Sequence, residues 1–163
     1  MSGRRRLLAV PLVALALICS LAIASASGDV SHVGWPHTVT TWFAGRSGST
    51  GVGTDGNDML LGGPGSDHIY GGAGNNVIWG DRFPSPNGPD QTDWLSAGNG
   101  DNWFYTSHGT NHVRMGSGDN HIFAYFGRGT IDCGSGHNIL TLSKSSYHHY
   151  TWSHCSVVQI GYP

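Results

Sequence analysis

The sequence predicts an all-β fold, a solenoid of stacked nine-residue units. Three observations carry that expectation. First, from Gly53 to Thr141 the chain reads in blocks of nine: GTDGNDMLL, GGPGSDHIY and GGAGNNVIW, then GPDQTDWLS, AGNGDNWFY, TSHGTNHVR, MGSGDNHIF, AYFGRGTID and CGSGHNILT. A fixed period of this kind marks units that cannot bury their apolar side alone and must stack. Second, Gly is 26 of 163 residues and charged residues are only 11%. The glycine shows no three-residue period, which excludes collagen, and the regular apolar position argues against disorder. Third, all ten acidic residues are Asp. Glu favours helices, whereas Asp favours turns and caps.

The N-terminus is an address. Arg4, Arg5 and Arg6 precede an apolar run from Leu7 to Ala24, and Ala24-Ser25-Ala26 offers a small-residue cleavage pattern. This is the layout of a secretory signal peptide, residues 1–26, with an uncleaved anchor as the alternative. Without it, five basic residues face ten Asp, about −5 with His neutral. Such a balance disfavours phosphate backbones, so nucleic acid is not an expected partner and divalent cations are. No stable membrane span is expected after cleavage. Export leaves Cys133 and Cys155, an even pair read as a disulfide. Its loop would stabilise by roughly 3 kcal/mol on a loop-entropy estimate.

Residues 27–52 form a lead-in. Thr38–Phe43 is rich in β-branched and aromatic residues and is expected to be a strand. Trp42 and Phe43 are candidates to cap the open end of the solenoid.

Within the repeat, residues 53–141, position eight is always apolar: Leu60, Ile69, Ile78, Leu95, Phe104, Val113, Ile122, Ile131, Leu140. It should point inward, with positions seven and nine facing out. One inward residue per unit implies a thin core, filled from two walls. Position six is Asp58, Asp67, Asn76, Asp93, Asn102, Asn111, Asn120, Gly129 and Asn138. Stacking sorts these into two columns, provided that the interruption Gly80–Asn87 leaves the alternation intact. One is Asp58, Asn76, Asn102, Asn120, Asn138; the other is Asp67, Asp93, Asn111, Gly129. Stacked carboxylates repel unless a cation lies between them, and Ca²⁺ suits a bed of carboxylates and glycine-turn carbonyls. Asn can instead form a ladder without an ion. The interruption, with Pro84 and Pro86, reads as a looped-out insertion at a turn, residues 80–87. Asp81 and Asp90 could add ligands there; solvated turn positions are the plainer reading.

These blocks resemble the glycine-rich nonapeptide of hemolysin-type calcium-binding repeats, the RTX family, G-G-x-G-x-D-x-U-x with U apolar. Gly62–Tyr70 fits every defined position, and Gly71–Trp79 all but one, having Asn76. The resemblance implies a parallel β-roll with Ca²⁺ between turns on one side. The ligand set it implies here is Asp55, Asp58, Gly63, Gly65, Asp67, Gly72, Gly74, Asn76, Asp90 and Asp93. The tail, with its two cysteines, is also similar to small exported calcium-binding proteins of actinobacterial type. Because only Asp58, Asp67 and Asp93 keep an acidic sixth position, the expectation is a split solenoid. Its N-terminal coils would keep one to three Ca²⁺ sites. The C-terminal coils would rest on Asn ladders, core packing and the disulfide.

The outward positions of one wall (Met59/Leu61, Val77/Trp79, Trp103/Tyr105, His121/Phe123, Ile139/Thr141) are unusually aromatic. Such a face is either a surface for a glycan or cell-surface partner, or is covered by the lead-in or tail. The ten His fall in no zinc frame; His108 with His112 and His148 with His149 are read as surface residues. Residues 142–163 lose the period and are expected to close the C-terminal end. No catalytic motif is present and no segment outside the repeat is long enough for a catalytic domain. The expected function is that of a secreted, extracellular, non-enzymatic calcium-binding protein whose folding is coupled to Ca²⁺. The alternative is a calcium-independent adhesion or glycan-binding solenoid.

Overall fold

The computed structural model describes residues 34–37, 40–82, 88 and 90–161. The expected signal peptide, Cys19 and the prolines Pro84, Pro86 and Pro89 lie outside them. The fold is a parallel β-solenoid of about six coils, as the period and the resemblance imply. One wall is a seven-stranded sheet of β1 (Thr40–Phe43), β3 (Asp58–Leu61), β5 (Val77–Trp79), β7 (Trp103–Tyr105), β9 (His121–Ala124), β11 (Ile139–Leu142) and β13 (Val157–Ile160). The other is a six-stranded sheet of β2 (Thr50–Val52), β4 (His68–Tyr70), β6 (Thr92–Ser96), β8 (Thr110–Arg114), β10 (Arg128–Asp132) and β12 (Tyr150–Ser153). A 3₁₀ turn, Tyr147–His149, precedes β12. Among the described residues no helix is long and apolar enough to cross a membrane.

The strand register records the repeat directly. Met59 pairs with Val77, and Trp103 with His121, a step of two nine-residue units. Across the insertion the step lengthens by eight residues: His68 pairs with Trp94 and Val77 with Trp103. All neighbouring pairs remain parallel and each residue keeps its face. The insertion therefore leaves the alternation intact, and the two columns form as the sequence implies.

All nine position-eight residues are buried, at 3% exposure or less. The expectation of one inward residue per unit is corrected. In a strand, residues two apart share a face, so position six, position eight and the first residue of the next unit all point inward. Asp58, Asp67, Asn76, Asp93, Asn102, Asn111, Asn120 and Asn138 are 0% exposed. At the first position of successive units, Met115, Ala124, Cys133 and Leu142 complete the apolar core of the C-terminal half. The N-terminal half has glycine there. At Gly62 a Cβ would lie 1.5 Å from the Gly80 carbonyl oxygen, so the coils stack too closely for any side chain.

The seven-stranded wall carries an inner asparagine ladder. The Asn76 Nδ2 group donates to Asn102 Oδ1 at 3.0 Å, Asn102 Nδ2 to Asn120 Oδ1 at 3.0 Å, and Asn120 Nδ2 to Asn138 Oδ1 at 2.8 Å. Each of those oxygens also accepts the backbone N–H of the preceding rung. A second, outer ladder runs one residue earlier: backbone N–H groups of Asn75, Asp101, Asp119 and His137 donate to side-chain oxygens of Asn57, Asn75, Asp101 and Asp119 at 2.8–2.9 Å.

The aromatic wall is partly covered by the lead-in. Trp35 packs edge-on against Trp79 and Tyr105, and its indole N–H donates to the Tyr105 hydroxyl at 2.9 Å. Met59 and Val77, expected to face solvent, are buried at 7% and 0% exposure. At the C-terminal end Cys133 and Cys155 form a disulfide, with Cα atoms 5.1 Å apart. Trp42 packs against the first coil and Phe43 is exposed.

Asn102 links three rungs of the inner ladder, so Asn102→Ala strands buried donors and acceptors. It should cost about 2–4 kcal/mol in denaturant unfolding. Asp119→Ala, in the exposed outer ladder, should cost less than about 1 kcal/mol. Equal losses for the two would contradict the role given to the inner ladder.

Candidate metal centre

The two columns differ in the chemistry of their side chains. An amide carries both donor and acceptor and can pass hydrogen bonds along a stack. An ionised carboxylate only accepts. In the inner column of the seven-stranded wall the single carboxylate, Asp58, sits at the head of the ladder. It accepts the Thr54 N–H at 2.6 Å and the Thr54 hydroxyl at 3.0 Å. Its own N–H donates to Asn76 Oδ1 at 2.9 Å. Nothing in this column is left without a partner.

The six-stranded wall is different. The Asp67 N–H donates to Asp93 Oδ1 at 2.8 Å, and Gly63 N–H donates to Asp67 Oδ2 at 2.9 Å. Asp81, the second residue of the insertion, joins this pair. Ligand atoms of Asp67, Asp81 and Asp93 all lie within 4.8 Å of one another, and all three residues are buried. Gln91 Nε2 donates to Asp81 Oδ2 and, at 3.2 Å, to the His108 carbonyl. Ser107 Oγ lies 2.5 Å from Asp93 Oδ2 and 2.9 Å from Asn111 Oδ1. One hydroxyl proton cannot serve both acceptors. Asp67 Oδ1 and Asp81 Oδ1 have no hydrogen-bond partner among the described residues. Beyond Asn111 the column ends at Gly129, which has no side chain. Tyr150, one coil further on, reaches back so that Asn111 Nδ2 meets its hydroxyl at 3.1 Å.

Burial governs the electrostatics. It pushes the Asp81 carboxyl up to about 7, with the neighbouring Asp93 charge adding to the rise and the Gln91 hydrogen bond opposing it. Burial likewise pushes Asp93 up to about 6 against the Ser107 hydrogen bond. Asp67 is raised by burial, opposed by the backbone N–H of Gly63. Arg82 also opposes the rise at Asp67. Its guanidinium donates to the Ala44 carbonyl at 3.1 Å and stands over the Phe43 ring.

Of the ligand set implied by sequence, the structure brings Asp67 and Asp93 together, with Gly63 and Gly65 beside them. The Gly65 N–H approaches Gln91 Oε1 at 3.5 Å. Asp58 and Asn76 lie in the opposite column. Gly74 offers its carbonyl to Asn76 Nδ2, and Gly72 to the Gly98 N–H. Asp55 and Asp90 are exposed turn residues outside the cluster. Asp81 corrects the plainer reading of a solvated turn: it is 8% exposed and faces the acidic pair. Gln91 and Ser107 carried no sequence signal. The donor set fits a hard cation: oxygens only, three buried carboxylates, and two oxygens with unused lone pairs. Asp67, Asp81 and Asp93 would hold Ca²⁺, which would supply the positive charge that the buried oxygens lack.

Metal-free, the folded state binds more protons than the unfolded chain between the ordinary carboxylate value of 3.8 and about 7. Stability should therefore fall as pH rises through that window. Thermal melts in EGTA should give a higher Tm at about pH 5 than at about pH 7.5, and saturating Ca²⁺ should remove the difference. A metal-free Tm that rises across this range would contradict the burial of these carboxylates.

Residues 52–83 and 90–122 match the family model of the RTX calcium-binding nonapeptide repeat, in four copies. No curated protein and no solved structure matches the chain. The family match spans both turns that supply the buried acidic cluster and ends within the asparagine-rich coils. Over these residues the chain matches RTX calcium-binding nonapeptide repeats, and they fold as a parallel β-solenoid.

Proposed function

We propose that the protein is a secreted, non-catalytic calcium-binding module in which Ca²⁺ completes the N-terminal coils. The observation that carries this reading is the contrast between the two columns. The asparagine column satisfies itself, whereas at the acidic column Asp67 Oδ1 and Asp81 Oδ1 are buried with no hydrogen-bond donor among the described residues, a need that a cation meets. Ca²⁺ that binds the ordered state alone favours it by mass action. A concentration about a hundred-fold above Kd adds about 2.7 kcal/mol. Cytosolic Ca²⁺ is kept low and extracellular Ca²⁺ is high, so the coils would complete themselves outside the cell. The charged N-terminus, the apolar run after it and the disulfide support export. The alternative of a glycan-binding solenoid needs an open aromatic wall, and Trp35 lies against Trp79 and Tyr105.

Calorimetric titration of the EGTA-treated chain should find between one and three Ca²⁺ sites. Circular dichroism on adding Ca²⁺ should show a gain of β signal that is partial, because the asparagine ladder needs no ion. No binding at millimolar Ca²⁺, the range of weak extracellular modules, would sink the reading, as would five or more tight sites.

A further inference from the structure

We infer that the eight-residue insertion converts a repeat-type pair of carboxylates into a dedicated three-carboxylate site for one divalent cation, with Asp81 as its added ligand. This rests on the calcium-binding reading and specifies where the principal ion sits.

Continuing the register of Leu61 with Trp79 and of Trp79 with Tyr105 beyond the strand ends puts Gly63, Asp81 and Ser107 at equivalent places in three successive coils. Elsewhere this place serves the turn from within. The Gly63 N–H donates to Asp67 Oδ2, and the Ser107 N–H donates to Asn111 Oδ1 at 3.1 Å. Those short turns bring position two to within four residues of position six. In the middle coil the insertion separates Asp81 from Asp93 by twelve residues. Asp93 takes its hydrogen bonds from the Asp67 N–H and the Ser107 hydroxyl instead, and a carboxylate occupies the place of a glycine.

The side chain is held in rather than thrown out. Arg82 N–H donates to the Gly62 carbonyl at 3.1 Å and its guanidinium reaches the Ala44 carbonyl, which ties the start of the insertion to the coils before it. From the far side of the insertion, Gln91 returns to clamp Asp81 Oδ2. The outcome is three acidic groups on one spot, with Asp67 Oδ1 and Asp81 Oδ1 both buried and unpartnered. Oxygens at this spacing can share one ion: Ca–O bonds of about 2.4 Å span roughly 5 Å across the ion. Asp58, by contrast, faces donors with both oxygens: Oδ2 accepts the Thr54 N–H and hydroxyl, and Oδ1 lies 3.2 Å from the same hydroxyl.

The test uses the full chain, EGTA-treated, titrated with Ca²⁺ by calorimetry and with Tb³⁺ by sensitised luminescence. Trp79 and Tyr105 line the same cavity as Asp81 and Ser107 and serve as antennae. Asp81→Asn should weaken the tightest Ca²⁺ site by about a hundred-fold, since ligand charge sets affinity, and should abolish most of the Tb³⁺ signal. Asp119→Asn, the same charge change on the exposed outer ladder, should leave both unchanged. In EGTA, Asp81→Asn should melt at or above the temperature of the unaltered chain, because it removes a buried charge. Unchanged affinity in Asp81→Asn would overturn the inference while leaving calcium binding by the repeats intact. A lowered metal-free Tm would overturn it too, by marking Asp81 as a structural residue. An unaltered chain that binds no Ca²⁺ would overturn both this inference and the calcium-binding reading.

Discussion

Eight of the nine sixth positions of this roll bury a polar side chain in the interior, and each must find its partners in its own turn or in the coil above or below. That constraint decides the rest. A buried polar group without a hydrogen bond costs several kcal/mol in an apolar medium, and each rung can draw only on its own turn and on the two adjoining coils. Asparagine meets the requirement by itself. Its oxygen accepts from the rung before and its nitrogen donates to the rung after, so Asn76, Asn102, Asn120 and Asn138 form a continuous chain. Aspartate cannot propagate such a chain, because it has nothing to donate. Wherever Asp replaces Asn, the structure must bring in donors, a proton or a metal ion.

The roll uses different answers at different places. Asp58 takes both a backbone N–H and a hydroxyl from Thr54, four residues earlier. Asn111 closes its column on the Tyr150 hydroxyl, in the space that Gly129 leaves. Asp67 accepts the Gly63 N–H, Asp93 accepts the Asp67 N–H and the Ser107 hydroxyl, and the pair is joined by a third carboxylate. The two ends of the chain differ accordingly. The C-terminal half is held by larger inward residues, Met115, Ala124, Cys133 and Leu142, and by the Cys133–Cys155 bridge. The N-terminal half has glycine at those places and little apolar volume, so it depends more on how its acidic column is neutralised. That column is where the calcium-binding repeats match best by pattern, at Gly62–Tyr70.

Much of this was legible in the sequence because the nine-residue period is a direct image of the coil. The buried face at Leu60 through Leu140 and the sorting of position six into two columns follow from spacing and alternation, and the pairing of the cysteines from their even number in a chain read as exported. The same alternation implies that position six is interior, a consequence easy to miss when Asp and Asn are read as solvent-facing turn residues. The site at Asp81 was not legible. The insertion breaks the period, so position in the repeat says nothing about Asp81, and its prolines point to an outward loop. What places Asp81 inside is the Arg82 N–H on the Gly62 carbonyl and the return of Gln91. Those are contacts between coils, and no local pattern records them. The cover of Trp35 over Tyr105 is of the same kind.

The central claim is that one side of the roll stands on amide ladders and the other on a bound cation. Hydrogen exchange of the full chain, followed residue by residue with EGTA and then with Ca²⁺, tests it most directly. Ca²⁺ should slow exchange at the amides of Gly63, Asp67, Asp81, Arg82 and Asp93, and leave those of Asn102, Asn120 and Asn138 as they were. Equal slowing along the asparagine column, or no slowing around Asp67, Asp81 and Asp93, would contradict it.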